Sequence, residues 1–214
     1  MNKVLIKDPS TMTLEKFIRL FDKEGCIVLL EGKRDVLEND KNRLVEIGRL
    51  LVANTKHCIF RSGNADGADK YFKEGIMSVD PKRFQAIVPF NDHMKSVKEE
   101  PGLYERISLD TINLAKEPLI LYESKRNKKQ KGLVESYEKG VDPRNAIKGA
   151  YIVRDTVKVT GAPSQGILPA YFGFFYDDLK NPKSGGTGHT MMVCENQMVP
   201  YIDQKIWGEW IMKK

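Results

Sequence analysis

HCIFRSGNADGADKYF, residues 57–72, runs from a short apolar segment through a polar, glycine-bearing turn into helix-forming residues. Gly63 and Gly67 let the backbone turn tightly, and a helix that starts where a strand ends aims its unpaired N–H groups beyond the strand. The turn is therefore a ready anion site, with a phosphate as the favoured occupant. Tight geometry with a helix cap accounts for one such loop equally well, so its neighbours in the chain matter.

Upstream, CIVLLEG (26–32) is an apolar run closed by Gly32, as expected of a strand covered on both faces. Leu44, Ile47, Gly48 and Leu51 follow at helical spacing, with Asn39 and Asp40 placed to cap the helix. Downstream of the quoted stretch, FQAIVPF (84–90) reads as a third strand. Between 91 and about 168 the pattern weakens: helices are expected near 103–116 and 131–139, and 143–160 reads as either strand or helix. AYFGFFYD (170–177) is a fourth strand, SGGTGHTMMVCENQ (184–197) a glycine turn into a helix, and VPYID (199–203) a fifth strand before a short helix carrying Trp207 and Trp210. Strict alternation predicts right-handed βαβ units. The expected fold is α/β, Rossmann-like and doubly wound: a mostly parallel five-stranded sheet, order 3-2-1-4-5, with helices on both faces.

A chain of 214 residues with 41% hydrophobic content suits one domain, residues 1–214, with its own core. No apolar run approaches the roughly 20 residues of a membrane span, and MNKVLIKDPSTM lacks the apolar core of a secretory signal, so a cytoplasmic protein without a membrane partner is expected. Cys26, Cys58 and Cys194 lie far apart with no CxxC pair and read as buried free thiols. His57 and His93 have no metal-ligand spacing, and neither a metal nor a cofactor is expected. The net charge of +6 is concentrated in SKRNKKQK (124–131), which reads as a solvated segment or a nucleic-acid contact.

Three polar loops fall at strand ends: EGKR (31–34), RSGNADGAD (61–69) and SGGTGHT (184–190). With the first strand beside the fourth, all three would face one cleft, where open parallel sheets bind ligands. Backbone donors around Gly32, Gly63, Gly185, Gly186 and Gly188 would do most of the holding. Ser62, Asn64, Ser184, Thr187 and Thr190 would add side-chain hydrogen bonds, and Lys33, Arg34 or Arg61 the charge. Asp66 reads as a helix cap, whereas Asp69 either orients the loop or accepts a ribose hydroxyl. His189 reads as a solvent-facing residue at a helix start or as a ligand contact.

These ordered motifs resemble the SLOG superfamily, the Rossmann-like group that includes DprA and the LOG cytokinin-activating enzymes. The likeness is to the YspA and YpsA-related branch: GKR at 32–34, RSGNADGADKYF, IVPF at 87–90, GGTGHT at 185–190 and VPYID match its turns and strand ends. YIVRDTVKV is similar to that branch's mid-chain helix, which places Arg154 beside Asp155 in the site. The resemblance covers about 26–205 and implies a nucleotide-like ligand, often with pairing into homo-oligomers. LOG hydrolases carry a glutamate two residues after their G-G-x-G-T; here His189 and Thr190 follow Gly188, and no carboxylate appears until Glu195. Glu31, Asp69, Asp177 and Asp178 are possible substitutes.

Three functions remain. The favoured one is a sensor or sequestering protein for a nucleotide or nucleotide-derived signal, ADP-ribose-like or cyclic, which would suit phage defence or counter-defence. An N-glycosidase or nucleotide phosphoribohydrolase is the alternative, marked by a carboxylate of raised pKa in the cleft, with Tyr171 or Phe172 available to stack a base or, more simply, to pack the core. Single-stranded nucleic-acid binding through Lys125, Arg126, Lys128, Lys129 and Lys131 is the third.

Overall fold

The computed structural model describes residues 6, 8–93, 100 and 102–212, so half of the stretch at the N-terminus read for a signal lies outside the described residues. The chain runs α1 (Leu14–Phe21), β1 (Ile27–Gly32), α2 (Glu38–Asn54), β2 (Ile59–Ser62), α3 (Ala68–Met77), β3 (Phe84–Val88) and β4 (Glu105–Ser108). It continues through α4 (Pro118–Lys125), α5 (Lys131–Lys139), α6 (Pro143–Thr160), β5 (Ala170–Tyr176), α7 (Gly185–Asn196), β6 (Tyr201–Asp203) and α8 (Gln204–Met212). Among the described residues no helix is long and apolar enough to cross a membrane.

The sheet has six strands in the order β4-β3-β2-β1-β5-β6, and every pairing is parallel. The expected order is present as β3-β2-β1-β5-β6, but a sixth strand, β4, adds to the β3 edge where a helix over 103–116 is expected. β4 pairs Gln85 with Glu105 and Ala86 with Arg106, and the Gln85 amide donates to the Glu105 carboxylate at 2.5 Å. Pairing with an open strand edge overrides the weak local helix pattern, and only isolated 3-10 turns follow at Leu109–Thr111 and Leu114–Lys116.

Strand residues alternate between two apolar layers, as a sheet buried on both faces requires. Val28 and Leu30 face a cluster with Phe17 and Phe21 of α1, Leu44 and Ile47 of α2, Phe72 of α3 and Trp207 of α8. Ile27 and Leu29 face the other side, with Val159 of α6 and Met191 and Val193 of α7, and Ile87 packs there against Val153 and Val157 of α6 and Val134 of α5. All three cysteines are buried and free.

The ambiguous segment 143–160 is the helix α6. The Asp142 carboxylate accepts from the Asn145 N–H at 3.3 Å, Pro143 opens the first turn, and Gly161 ends the helix at φ +62°. Its last dozen residues run almost entirely buried between the sheet and α5 and α7. Because the chain crosses from the β4 side to β5 on the other side of β1, the sheet reverses direction of growth at β1. The carboxyl ends of β1 and β5 frame that switch point.

Candidate functional site

The loop after β1 is anchored on both sides. Lys33 N–H donates to the Tyr176 carbonyl at the end of β5 (3.0 Å), and Ala68 N–H at the start of α3 donates to the Lys33 carbonyl (3.1 Å). Gly67 bridges the first two loops: at φ +92° it holds a conformation that disfavours a side chain, and a Cβ there would sit 2.4 Å from the Arg34 backbone. Gly63 is a close approach of another kind. Arg154 of α6 donates from Nη1 to the Gly63 carbonyl at 2.7 Å, and a Cβ on Gly63 would fall 2.2 Å from that same nitrogen.

These loops and the start of α7 enclose one cavity of about 370 Å3. Gly32, Lys33 and Arg34 line it from the first loop, Ala65 and Asp66 from the second, and Ser184, Gly185, Gly186 and Thr187 from the third. Its floor is charged and comes from the end of β1, the first turn of α3 and one face of α6: Glu31, Asp69, Arg154, Asp155 and Lys158, with Tyr151 and Ile152 completing the α6 wall.

The floor is a compact, buried ion cluster. Lys158, 2% exposed, contacts the Glu31 carboxylate and lies 2.8 Å from Asp155, which also pairs with Arg154 Nε at 3.0 Å. Burial, reinforced by Asp69 and Asp155, pushes the Glu31 carboxyl up to about 8 against the opposing pull of Lys158. Burial also raises Asp69. Asp155 goes the other way, because Arg154 and Lys158 outweigh the burial that would raise it. Burial likewise disfavours the Lys158 ammonium, yet Asp155 and Glu31 outweigh it and raise its pKa. Three carboxyls thus face two cations, and a proton kept on Glu31 balances the cluster. The Glu31 Oε1 atom has no hydrogen-bond partner.

Both helices whose first turns meet this cavity lack a side-chain cap: Gly67 before α3 has none to offer, and Ser184 before α7 makes no capping bond. Apart from Ala68 N–H, which the Lys33 carbonyl takes up, the N–H groups of these first turns have no side-chain cap and are open to an external acceptor. Lys33 leans toward Asp178 (3.8 Å), and Arg34 is exposed at the rim.

The remaining residues expected at the site lie elsewhere. Arg61 is fully buried: its Nε donates to Gln85 and its Nη1 to the Lys158 carbonyl at 3.0 Å, so its charge is spent within the core and not in the cavity. Ser62 is buried beneath the loop, and Asn64, at φ +50°, accepts from Lys73 at 2.9 Å. Thr190 donates to the Gly186 carbonyl at 3.1 Å inside α7, while Gly188 packs under the Lys183 carbonyl. His189 is neither solvent-facing nor in this cavity; it is 2% exposed, with Nε2 2.9 Å from the Thr156 hydroxyl. Asp177 is occupied with the Lys183 N–H at 2.9 Å, and Phe172 is packed between Phe17 and Phe21, so it has no free face for a base.

Lys158 is the cavity-lining side chain that the loop motifs do not reveal. Tyr151, Arg154, Asp155 and Lys158 are spaced three and four apart, the spacing of one helical face, and that signal becomes readable once 143–160 is taken as a helix.

No protein-family model matches the chain, and no curated protein does. Among solved structures, DNA processing protein A (DprA) from Helicobacter pylori, described for its single-stranded DNA binding mode, is similar over 92% of this chain and 74% of that one. The identity is 16% and the TM-score 0.48, too distant to bear on what this chain does. Nothing found bears on the YspA and YpsA-related branch.

Proposed function

We propose that the cleft at the switch point binds a nucleotide-derived small molecule, ADP-ribose-like or cyclic, and that the protein acts as its sensor or sequestering partner. The observation that carries this reading is the meeting of Lys33, Arg34, Arg154 and two uncapped helix starts around one cavity of about 370 Å3. Uncapped N–H groups with guanidinium and ammonium groups are what a phosphate needs, and the volume lies in the range of small-molecule sites. Incubating the purified protein with a pool of nucleotides, NAD, ADP-ribose and cyclic dinucleotides, then analysing bound and free fractions by mass spectrometry, tests it. Retention of one unchanged component supports the reading; no retained component removes it.

One observation favours a second reading, hydrolysis of an N-glycosidic bond. Glu31 lines the cavity with its pKa raised to about 8 and one oxygen unpartnered, the state of a carboxylic acid that can give a proton to a departing base. In the same experiment a free base in the supernatant supports hydrolysis, and Glu31→Gln then abolishes product while leaving retention intact. An unchanged pool removes it.

A further inference from the structure

A second cavity of about 510 Å3 lies on the other side of the first turn of α7 and shares Ser184 and Gly185 with the cleft as a common wall. Its far side is formed by the segment before α5, with Lys129 and Gln130, and by the loop 181–183. Two buried polar atoms on its lining residues have no partner: Nδ1 of His189, whose side chain is 2% exposed, and Oε1 of Gln130. Orphaned buried polar groups are rare in folded proteins and call for an absent partner. Burial lowers the His189 pKa and keeps the ring neutral, so one ring nitrogen carries a proton and the other a lone pair. The Thr156 hydroxyl donates to the Ile152 carbonyl at 3.2 Å, so it accepts from Nε2–H and leaves a lone pair on Nδ1. The free Nδ1 therefore suits a hydroxyl, which can donate to it.

The charged groups lining this cavity leave a net positive group over. Lys183 and Glu195 pair at 2.5 Å, and Tyr201 also donates to Glu195. Nearby, Lys125, Arg126 and Lys131 each have a carboxylate partner, whereas the exposed Lys129 has none among the described residues. An unpaired ammonium for a phosphate, side-chain amides for a base edge and an imidazole nitrogen for a ribose hydroxyl form the complement of a nucleotide.

We infer that this cavity takes a second phosphate-bearing nucleotide unit of the molecule held in the cleft, so that the ligand is a short nucleotide oligomer crossing the start of α7. The inference rests on the proposed reading of the cleft. The shared chemistry is two phosphates separated by one nucleoside, and it has two sources, a free dinucleotide or the end of a nucleic-acid strand.

Native mass spectrometry with three pools covering all four bases separates the outcomes: 5′-mononucleotides, 5′-phosphorylated dinucleotides, and 5′-phosphorylated ten-nucleotide strands. Dinucleotides should bind at least tenfold more tightly than mononucleotides, and Lys129→Glu should remove that gain while leaving mononucleotide binding unchanged. Lys23→Glu, the same charge change on an exposed residue at the amino ends of the strands, should alter neither. A further gain with the longer strands identifies nucleic acid as the source; equal binding identifies the free dinucleotide. Equal affinity for mono- and dinucleotides, or a dinucleotide preference untouched by Lys129→Glu, overturns the inference and leaves the cleft as a nucleotide site. Binding of none of the pools overturns this inference alone, because the reading of the cleft stands or falls with retention of ADP-ribose or a cyclic dinucleotide in the experiment above.

Discussion

Replacing Glu31 by glutamine removes a titratable group while keeping its shape and its carbonyl for Lys158. In the folded protein the Glu31 carboxyl holds its proton up to about pH 8, against an ordinary 4.5. Between those limits the folded state binds more protons than the unfolded one, so this group's contribution to stability falls as pH rises from 4.5 to 8 and is flat above. At about 1.4 kcal/mol for each tenfold change in proton affinity, the whole span corresponds to on the order of 4–5 kcal/mol. The side chain is 4% exposed, so solvent screening reduces this little. Urea unfolding of wild type and Glu31→Gln at intervals between pH 5 and 9 measures it, because titrations outside this ion cluster cancel in the difference. The variant should gain on wild type steadily across that window and stop gaining above pH 8. Two stability curves that run parallel from pH 5 to 9 would refute the raised pKa, and with it the charge balance assigned to the floor of the cleft.

Gly63→Ala drives a methyl group into Arg154 and should lower stability by about 1–3 kcal/mol, as overpacked sites do, with binding of the retained pool component lost in parallel. Lys158→Met leaves Asp155 and Glu31 without their shared cation and should cost about 3–5 kcal/mol in urea unfolding at pH 8, with a smaller loss at pH 5. Arg34→Ala removes an exposed side chain at the rim. It should leave Tm unchanged and weaken ligand retention by at least tenfold, the loss of about 1.5–3 kcal/mol expected for a charged hydrogen bond.

The strands that carry the site were legible because each is a concentrated apolar run ended by glycine or polar residues, and alternation with helices determines which loops share an end of the sheet. Gly32, Lys33, Arg34, Asp69, Arg154 and the Gly185–Thr187 turn meet in one cavity for that reason. β4 is hidden in the sequence because Glu105 and Arg106 look like surface helix residues; only the open edge of β3 makes them a strand. Arg61 reads as a ligand contact because a basic residue opening a phosphate-like loop invites that role. The strand turns it inward, where Gln85 and a carbonyl of α6 satisfy it. His189 reads as solvent-facing because nothing local in GGTGHT announces that Thr156, from a helix more than thirty residues earlier, stands ready to receive its ring.

The contacts that run from Gly63 to Arg154, from Arg154 to Asp155, and from Asp155 to the tight approach at Gly186 join two loops that are far apart in sequence. None of the four positions can drift alone. In any relative that keeps this cleft, a residue larger than glycine at position 63 should come with a shorter side chain at 154. A bulkier residue at 186 should likewise come with the loss of the carboxylate at 155, so the four are expected to change together or not at all.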